Sequence, residues 1–402
     1  MLQYELGEAV SAMRGRKRSV PTSSQVLRVA WDVHQSKRNW TGTGVFAVHL
    51  LDHLRCQPGS ELLPLAGWDV PTRRKGLPWR AARVVMDVIW TQAVLPFELA
   101  FLRPDVLHAP AFVAPLWGTC PLVVTIHDTI YCQFPEQHAR WWVRYMNWLM
   151  PRVVARAAAI IAVSEATKQD VIRHFGADPS RIHVIYHGVD HGRFHPDAGT
   201  GAGPLLARYG IRGEYVLHVG ALVMRKNIPL LLEAVALLKD RGHWGRRQVV
   251  LAGSASPGMP GAQAVYEAVD RLGLAEDVVC ANHVPDAALP ALYARAAVLA
   301  FPSRYEGFGL PLVEAMACGV PVVAAAGSAI SEVVGTAGIL ISGDDREAFA
   351  DGLLTVLENP EVRATLRERG LRRAANFTWD KAARQTIDVY REVVRAREEP
   401  GL

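Results

Sequence analysis

The stretch that decides the fold is FPSRYEGFGLPLVEAMACGVPVVAA, residues 301–325. An apolar strand pattern ends at Phe301, and a glycine-containing loop follows it. Pro311 then lies where a helix is predicted to begin and Gly319 where it is predicted to end. Proline is common in the first turn of a helix, and glycine is common just after its last turn. Such a loop exposes backbone N–H groups at the positive end of the helix, so this segment predicts a site for a pyrophosphate or for sugar hydroxyls.

Short runs rich in Val, Ile and Leu alternate with longer helical patterns along almost the whole chain. This alternation is typical of parallel α/β sheets, in which helices follow the strands. In the first half we predict strands at 26–33, 62–66, 106–109, 122–127, 160–163 and 183–186. In the second half we predict strands at 215–219, 248–252, 278–281, 298–301, 322–325 and 338–341.

A stretch rich in Gly, Pro and Ala, DAGTGAGP at 197–204, separates the two sets and predicts a linker without helix or strand. The predicted fold class is therefore α/β, with two doubly wound, Rossmann-like domains that face a central cleft. The divisions are an N-terminal extension at 1–25, a first domain at 26–198, a second domain at 205–378 and a C-terminal helix at 379–402. That last helix has the length to cross back onto the first domain.

Length and composition limit the class of protein. The chain has 402 residues, half of them apolar, which allows a large core and favours two domains over one. Its five cysteines form no C-x-x-C pair, which argues against a zinc site and against a disulfide framework. No uncharged apolar run reaches the roughly 18 to 20 residues of a membrane span, and 1–25 lacks a secretory apolar core, so we expect a cytoplasmic protein.

The net charge of +5 is carried by the first half of the chain, whereas the second half is nearly balanced. A basic excess suits an anionic partner such as a membrane surface or a phosphorylated acceptor, although ordinary solvated arginines give the same count. The segment HARWWVRYMNWLMPRVVAR, residues 138–156, interleaves aromatic and basic side chains. It suits either a peripheral membrane interface or a core helix with exposed arginines. We expect no nucleic-acid partner.

Two carboxylates, Glu306 and Glu314, flank the start of the helix that opens at Pro311. Taken alone, Glu314 is explained as a complement to the helix dipole and Glu306 as a solvated side chain. Together with the intervening GFGLP and the trailing EAMACG, however, they resemble the donor-site signature of family-4 retaining glycosyltransferases. These enzymes have the two-domain GT-B fold.

The resemblance assigns a role to each part of this motif. It implies that Glu314 binds the ribose hydroxyls of a sugar nucleotide and that Glu306 faces the transferred sugar. It also implies that the backbone of the loop holds sugar hydroxyls and phosphate oxygens. The loop residues are Gly307, Phe308, Gly309 and Leu310.

A second segment, YVLHVGALVMRKNIPLLLEA at 215–234, places Gly220 at a strand end and two cations, Arg225 and Lys226, before a helix. It resembles the family's G-x4-R-K-N pattern. The resemblance implies that both cations neutralise the leaving diphosphate. Ala221 stands where some relatives carry a further arginine, so the phosphate site rests on fewer cations.

The remaining donor candidates of the second half follow two later strands. Gly253 ends the strand in VVLAGSASPG, where a phosphate contact and a simple turn are equally good explanations. Asn282, His283 and Val284 lie in a stretch that resembles the family's base-binding region. The side chains there do not distinguish guanine from uracil.

In the first half, Gly42 and Gly44 are predicted to lie in a loop before an apolar helix. The letters GTGVFA imitate a dinucleotide fingerprint, so a nicotinamide-dependent enzyme is the natural competitor. It fits poorly, because the loop from Val33 is too long for a tight turn and the strand at 62–66 does not end in an acidic residue. The resemblance instead implies a glycine loop that approaches the donor phosphates from the opposing domain.

The strand in LVVTIHDTIY delivers His127 and Asp128 at its carboxyl end, toward the cleft. Strand-end histidines are often structural. Similar pairs occur in mannosyltransferase-like members of the family, which implies that His127 approaches the donor sugar and gives Asp128 an acceptor or structural role. Ser164 heads a helix in AVSEATKQDVIRHFG and is predicted to reach the cleft.

No D-x-D occurs, and Asp344 and Asp345 suit a helix cap, so we predict transfer without a metal or any cofactor. The resemblance implies retention of the donor's anomeric configuration. We favour GDP-mannose as the donor and a lipid-linked oligosaccharide or polysaccharide as the acceptor. UDP-sugars remain open, as do a UDP-N-acetylglucosamine 2-epimerase and a non-catalytic sugar-nucleotide-binding protein.

Overall fold

The computed structural model describes residues 26–34, 42–67, 84–254 and 260–398. Two parallel sheets of six strands each occupy this part of the chain. The first sheet has the order β2-β1-β3-β4-β5-β6. Its strands are β1 Leu27–Asp32, β2 Ser60–Leu65, β3 Val106–Ala109, β4 Leu122–Ile126, β5 Ala159–Ala162 and β6 Ile182–Val184.

The second sheet has the order β12-β11-β10-β7-β8-β9. Its strands are β7 Tyr215–Val219, β8 Gln248–Ala252, β9 Val278–Asn282, β10 Val298–Phe301, β11 Val322–Ala325 and β12 Ile339–Ile341. The predicted α/β class with two Rossmann-like domains is confirmed. Each of the twelve predicted strands is present, with ends that differ by no more than two residues.

Helices connect the strands and cover both faces of each sheet. In the first half they are α1 Gly42–Arg55, α2 Val84–Leu102, α3 Ile130–Gln133, α4 Arg140–Arg156 and α5 Glu165–Phe175. The next are α6 Gly203–Arg208, α7 Ile228–Asp240, α8 Pro260–Arg271, α9 Leu289–Ala294 and α10 Leu310–Ala317. The last are α11 Ser328–Val334, α12 Arg346–Glu358, α13 Pro360–Ala374 and α14 Trp379–Glu398.

The central strands are buried along their whole length, which explains their continuous apolar composition. In β4 and β10 every residue is buried. One face of the first sheet packs against α1 and α14, with Trp31, Phe46 and Tyr390 in the apolar cluster, and α2 and α4 cover the other face. The carboxyl ends of the strands are left free to carry loops.

The segment between the domains differs from the prediction. A 3-10 turn, Pro196–Gly199, and the first residues of α6 occupy the stretch 197–204, so the expectation of a linker without helix is wrong. The reason is packing: Ala202 and Leu206 are buried in the core of the second domain, and tertiary burial stabilises a short helix that its composition disfavours. Pro204 occupies the helix start, where proline is tolerated.

The final helix, α14, lies against the first sheet, although it follows the second domain in the chain. It contacts α1, β3 and β5, and Tyr390 and His108 share a buried hydrogen bond. The chain therefore passes between the domains twice. The predicted extension at 1–25 and the last residues of 379–402 lie outside the described residues.

In the described ranges, one helix, α2, is long and apolar enough to cross a membrane. The sequence count of uncharged runs does not select α2, because Asp87 and Glu98 interrupt its apolar sequence.

Candidate active site

A cavity of about 530 Å³ lies between the carboxyl ends of the two sheets, a volume within the usual range for small-molecule sites. Both domains line it, as expected where two doubly wound sheets face each other. The cavity brings together fifteen of the residues singled out in the sequence. They are Gly42, His127, Asp128, Gly220, Arg225, Lys226, Gly253, His283, Val284, Glu306, Gly307, Phe308, Gly309, Leu310 and Glu314.

An ion cluster of three side chains forms one wall. Oε1 of Glu306 lies 2.6 Å from Nζ of Lys226 and 3.0 Å from Nη1 of Arg225. Burial alone would raise the pKa of Glu306, but the two cations outweigh it and lower that pKa. Glu306 is therefore ionised.

Lys226 is the most enclosed of the three. Its ammonium lies 4.7 Å from the centre of the Phe301 ring, and burial lowers its pKa while Glu306 opposes that shift. The side chain is held by its position in the 3-10 turn Met224–Lys226 and by Gly220, whose missing Cβ leaves room for it. A cation fixed in this way favours an anionic ligand.

Glu314, the fifth residue of α10, interacts with a side chain instead of complementing the helix dipole. The hydroxyl of Tyr293 donates a hydrogen bond of 2.8 Å to its Oε2. Burial raises the pKa of Glu314 to about 7. A carboxyl that titrates near neutrality at the edge of a cavity is a good partner for ligand hydroxyls.

The loop before α10 approaches the first domain very closely. Gly309 has φ +96, in the left-handed region, and begins α10 without a side-chain cap. A Cβ on Gly307 would lie 1.7 Å from the carbonyl oxygen of His127, so only glycine fits there. The hydroxyl of Ser164 donates a hydrogen bond of 2.6 Å to the carbonyl of Gly307. These contacts hold the two walls of the cavity together.

A second contact between the domains lies behind the same loop. Tyr305 donates a hydrogen bond of 2.8 Å to Asp170, and its hydroxyl also lies 3.2 Å from Oγ1 of Thr129. Glu332 accepts hydrogen bonds from the backbone N–H groups of Glu165 and Ala166 at the start of α5, where a negative charge is favourable.

His127 stands at the end of β4, opposite the ion cluster. Its Nε2 lies 2.8 Å from the carbonyl oxygen of Pro110 and must donate to it, which leaves Nδ1 as an acceptor. Burial lowers the pKa of His127 to about 4, so the ring is neutral at neutral pH. Burial also raises the pKa of Asp128, although Arg225 opposes the shift.

Two sequence families match the chain. The family described as Glycosyltransferase Family 4 matches residues 45–193, and Glycosyl transferases group 1 matches 210–373. The O-antigen chain mannosyltransferase B of Escherichia coli is 33% identical over 71% of this chain and 74% of its own length. The chain belongs to glycosyltransferase family 4.

Two further similar proteins are named for activities other than that of a mannosyltransferase. The D-inositol 3-phosphate glycosyltransferase of Salinispora arenicola is 35% identical over 61% of this chain, which spans 57% of that relative. The structure of sucrose-phosphate synthase from Thermosynechococcus elongatus superposes with a TM-score of 0.75 at 19% identity, over 92% of this chain and 100% of that one. The fold is thus that of the GT-B glycosyltransferases.

Three residues that the sequence predicted to belong to the site of this glycosyltransferase do not line the cavity. Gly44 is buried within α1, because α1 begins at Gly42 and both glycines belong to its first turn; the prediction that they precede the helix is wrong. The amide of Asn282 bonds the carbonyl of Cys280 at the end of β9. Ser164 is buried behind Gly307, where its hydroxyl caps α5 and bridges the domains, so the prediction that it reaches the cleft is wrong.

His187 is one of the polar cavity residues that the sequence prediction missed; His49, Arg193 and Asp286 are others. His187 is buried, lines the cavity and packs against Phe46, Phe308 and Trp379. Within the described residues, neither of its ring nitrogens has a hydrogen-bond partner. The H-G-V-D sequence within VIYHGVDHGRFHP, residues 184–196, was the available signal.

Proposed function

We propose that this glycosyltransferase moves mannose from GDP-mannose onto a lipid-linked oligosaccharide or polysaccharide, with retention of configuration and without a metal. The observation that carries the proposal is the cluster of Arg225, Lys226 and Glu306 opposite His127 in one cavity. The name of the Escherichia coli relative, an O-antigen chain mannosyltransferase, supports the choice of sugar and of a polysaccharide acceptor.

Departure of the diphosphate is the step in which charge builds up. The bond between the anomeric carbon and the phosphate oxygen breaks, and its electron pair leaves with the nucleoside diphosphate. Arg225 and Lys226 stabilise that charge, because fixed cations in a buried site interact strongly with a developing anion. Glu306 keeps both cations in place before the donor binds and faces the positive charge of the sugar afterwards.

The acceptor hydroxyl then attacks the anomeric carbon from the face that the diphosphate leaves. Its proton passes to the departing phosphate oxygen, so charge and atoms balance without a protein base. A covalent intermediate on Glu306 is disfavoured, since two cations hold its carboxylate and reduce its nucleophilicity. Neutral His127 is suited to accept a hydrogen bond from a sugar hydroxyl at Nδ1.

The two ends of the donor require different partners. Glu314 accepts hydrogen bonds from the ribose hydroxyls, the start of α10 binds phosphate or sugar oxygens, and the region of His283 and Val284 lies beside the base. Within the described chain, no three His, Cys, Asp or Glu side chains are grouped to hold a metal ion.

The acceptor and the location of the enzyme belong to the same proposal. A lipid-linked acceptor requires an enzyme at the cytoplasmic face of the membrane. On α4, Trp141 and Trp148 are about half exposed, and the guanidinium of Arg152 lies 4.6 Å from the centre of the Trp148 ring. Exposed aromatic and basic side chains of this kind are suited to an interface with anionic lipid.

The proposal is tested first by ligand binding. GDP-mannose should raise the melting temperature more than UDP-glucose, UDP-N-acetylglucosamine or NAD, because a ligand of the folded state stabilises it. Arg225→Ala should abolish that shift, whereas Arg246→Ala, at an exposed position outside the cavity, should preserve it. A larger melting-temperature shift with UDP-glucose than with GDP-mannose would indicate that UDP-glucose is the donor.

The reaction itself separates the remaining alternatives. Proton NMR of the mannosylated product should give the anomeric configuration of the donor, and the inverted anomer would contradict retention. Conversion of UDP-N-acetylglucosamine without an acceptor would indicate an epimerase. Donor binding with neither hydrolysis nor transfer would indicate a non-catalytic binding protein.

A further inference from the structure

The outer face of α2 carries an apolar stripe that nothing in the described chain covers. Four members are exposed: Val85 by 56%, Ile89 by 43%, Phe97 by 69% and Phe101 by 81%. Together with half-buried Ala93 they recur at every fourth position. We call these five residues the α2 stripe. Exposed apolar surface of this extent on one helix marks an interaction site.

The backbone of α2 aligns the stripe. Four residues of an α-helix advance by about one turn and 40°, so a repeat of four drifts around the axis. The π-helical segment Trp90–Val94 in the middle of α2 has a wider turn, which offsets part of that drift. The opposite face, with Trp90, Leu95 and Leu99, is buried in the core. The helix therefore lies on the domain instead of crossing a bilayer.

A tryptophan extends the apolar surface. Trp117 is about half exposed, and its ring centre lies 5.9 Å from that of Phe97 in an edge-to-face arrangement. Its indole N–H donates a hydrogen bond of 2.8 Å to the carbonyl of Gln92 on α2. The ring is thus held beside the stripe, with its apolar body available to a partner, which is the usual placement of tryptophan at a lipid interface.

Two arginines lie at the carboxyl end of the stripe. Arg103 follows α2 directly, and Arg397 of α14 lies across a surface pocket that they share with Ala100 and Thr119. Asp105 and Glu398 line the same pocket; the Asp105 carboxylate accepts a hydrogen bond from the backbone N–H of Arg28. Arg103 and Arg397 are both exposed, so their guanidinium groups are available to solvent phosphate.

We propose that the α2 stripe and Trp117 insert into the surface of an anionic phospholipid bilayer, with Arg103 and Arg397 at the headgroup phosphates. The combination of apolar side chains, an interfacial tryptophan and flanking arginines favours lipid over a protein partner. The inference rests on the proposed lipid-linked acceptor, and it moves the principal membrane contact from α4 to α2. Both helices pack on the same face of the first sheet.

Vesicle flotation with the full chain tests the proposal. The wild type should float with vesicles of equal parts phosphatidylcholine and phosphatidylglycerol, and less with phosphatidylcholine alone. The double variant Phe97→Ser, Phe101→Ser should reduce the vesicle-bound fraction by about tenfold or more. The matched control Tyr266→Ser removes an exposed aromatic side chain of the second domain and should float like the wild type. The variant Trp141→Ser, Trp148→Ser removes the exposed tryptophans of α4 and should reduce the vesicle-bound fraction less than the stripe variant does.

Three results would overturn the inference. They are a wild type that stays in solution with both vesicle types, a stripe variant that floats as well as the wild type, and an α4 variant that alone loses binding. A wild-type dimer in light scattering that the stripe variant converts to a monomer would show that a second copy covers the stripe, which also overturns it.

The same samples separate this inference from the proposed function. None of the stripe residues lines the cavity, so the stripe variant should keep the melting-temperature shift with GDP-mannose. Vesicle binding without a melting-temperature shift from GDP-mannose would support the membrane contact and contradict GDP-mannose as the donor. A melting-temperature shift from GDP-mannose without vesicle binding would support the donor and contradict the membrane contact.

Discussion

Nζ of Lys226 and Oε1 of Glu306 lie 2.6 Å apart in the wall of the cavity, and both residues are buried. A buried ion pair is costly to break, because the remaining charge loses its partner. Here the pair also keeps a cation ready for a diphosphate. Its removal should therefore affect turnover more than donor binding.

Lys226→Met tests this relationship. We expect kcat to fall by about 100-fold or more, the range found when a single group that stabilises a developing anion is removed. Lys381→Met, at an exposed position of α14, is the matched control and should leave kcat unchanged. Steady-state kinetics with GDP-mannose measure both. A Lys226→Met enzyme with normal kcat and raised KM would assign Lys226 to ground-state binding instead.

Glu314 should make stability depend on pH. Its pKa in the folded protein is about 7, raised by burial above the ordinary value of 4.5. Between these two values the folded state binds more protons than the unfolded chain, so this group's contribution to stability falls as pH rises. Glu314→Gln removes the ionisation. The variant should gain about 1–3 kcal/mol in unfolding free energy relative to the wild type between pH 5 and pH 8.

Urea unfolding at the two pH values measures that difference. Donor binding should show the opposite trend, because ribose hydroxyls donate to the ionised carboxylate, so the wild type should bind GDP better at pH 8 than at pH 6. An equal difference in unfolding free energy between Glu314→Gln and the wild type at pH 5 and at pH 8 would show that Glu314 does not titrate in this range.

Gly307 should be intolerant of any side chain. Its Cβ would meet the carbonyl oxygen of His127 at 1.7 Å, which is impossible without separation of the two domains. We expect Gly307→Ala to reduce transfer strongly and to increase the radius of gyration in small-angle scattering. Gly203→Ala is the control, since a Cβ there meets no atom within 4 Å. Normal activity in Gly307→Ala would mean that the closed arrangement is not needed for turnover.

The sequence predicted the strands and most of the cavity because both depend on local patterns. Runs such as Val298–Phe301 are apolar throughout, and the spacing of Glu306 and Glu314 follows one helix start. What it missed depends on distant contacts. The α6 helix exists because Leu206 reaches the core of the second domain, and the buried hydroxyl of Ser164 is set by the approach of Gly307.

The exposed stripe on α2 was missed for a different reason. Counting uncharged residues excludes a helix that contains Asp87 and Glu98, although neither belongs to the exposed apolar row. The exposure of Phe97 and Phe101 depends on which face of the helix the domain buries. That face is decided by Trp90, Leu95 and Leu99, and a sequence pattern with a π-helical turn does not reveal it.

Substitution of His187 should change activity and stability in opposite directions. Both ring nitrogens are buried without a partner in the described chain, and burial lowers the pKa of the ring far below its usual value, so it is neutral. A neutral imidazole has one donor and one acceptor, and a sugar hydroxyl satisfies either. His187→Phe preserves the packing against Phe46 and Trp379 but removes both polar atoms.

We expect His187→Phe to raise the melting temperature, because an unsatisfied polar group is replaced by an apolar one, and to lower kcat/KM by about 10- to 100-fold. His187→Asn restores a donor and an acceptor and should recover part of kcat/KM at lower stability. Thermal denaturation and steady-state kinetics on the three proteins decide the question. If His187→Phe transfers mannose at the wild-type rate, the ring serves packing alone, and the sugar hydroxyls must bind elsewhere in the cavity.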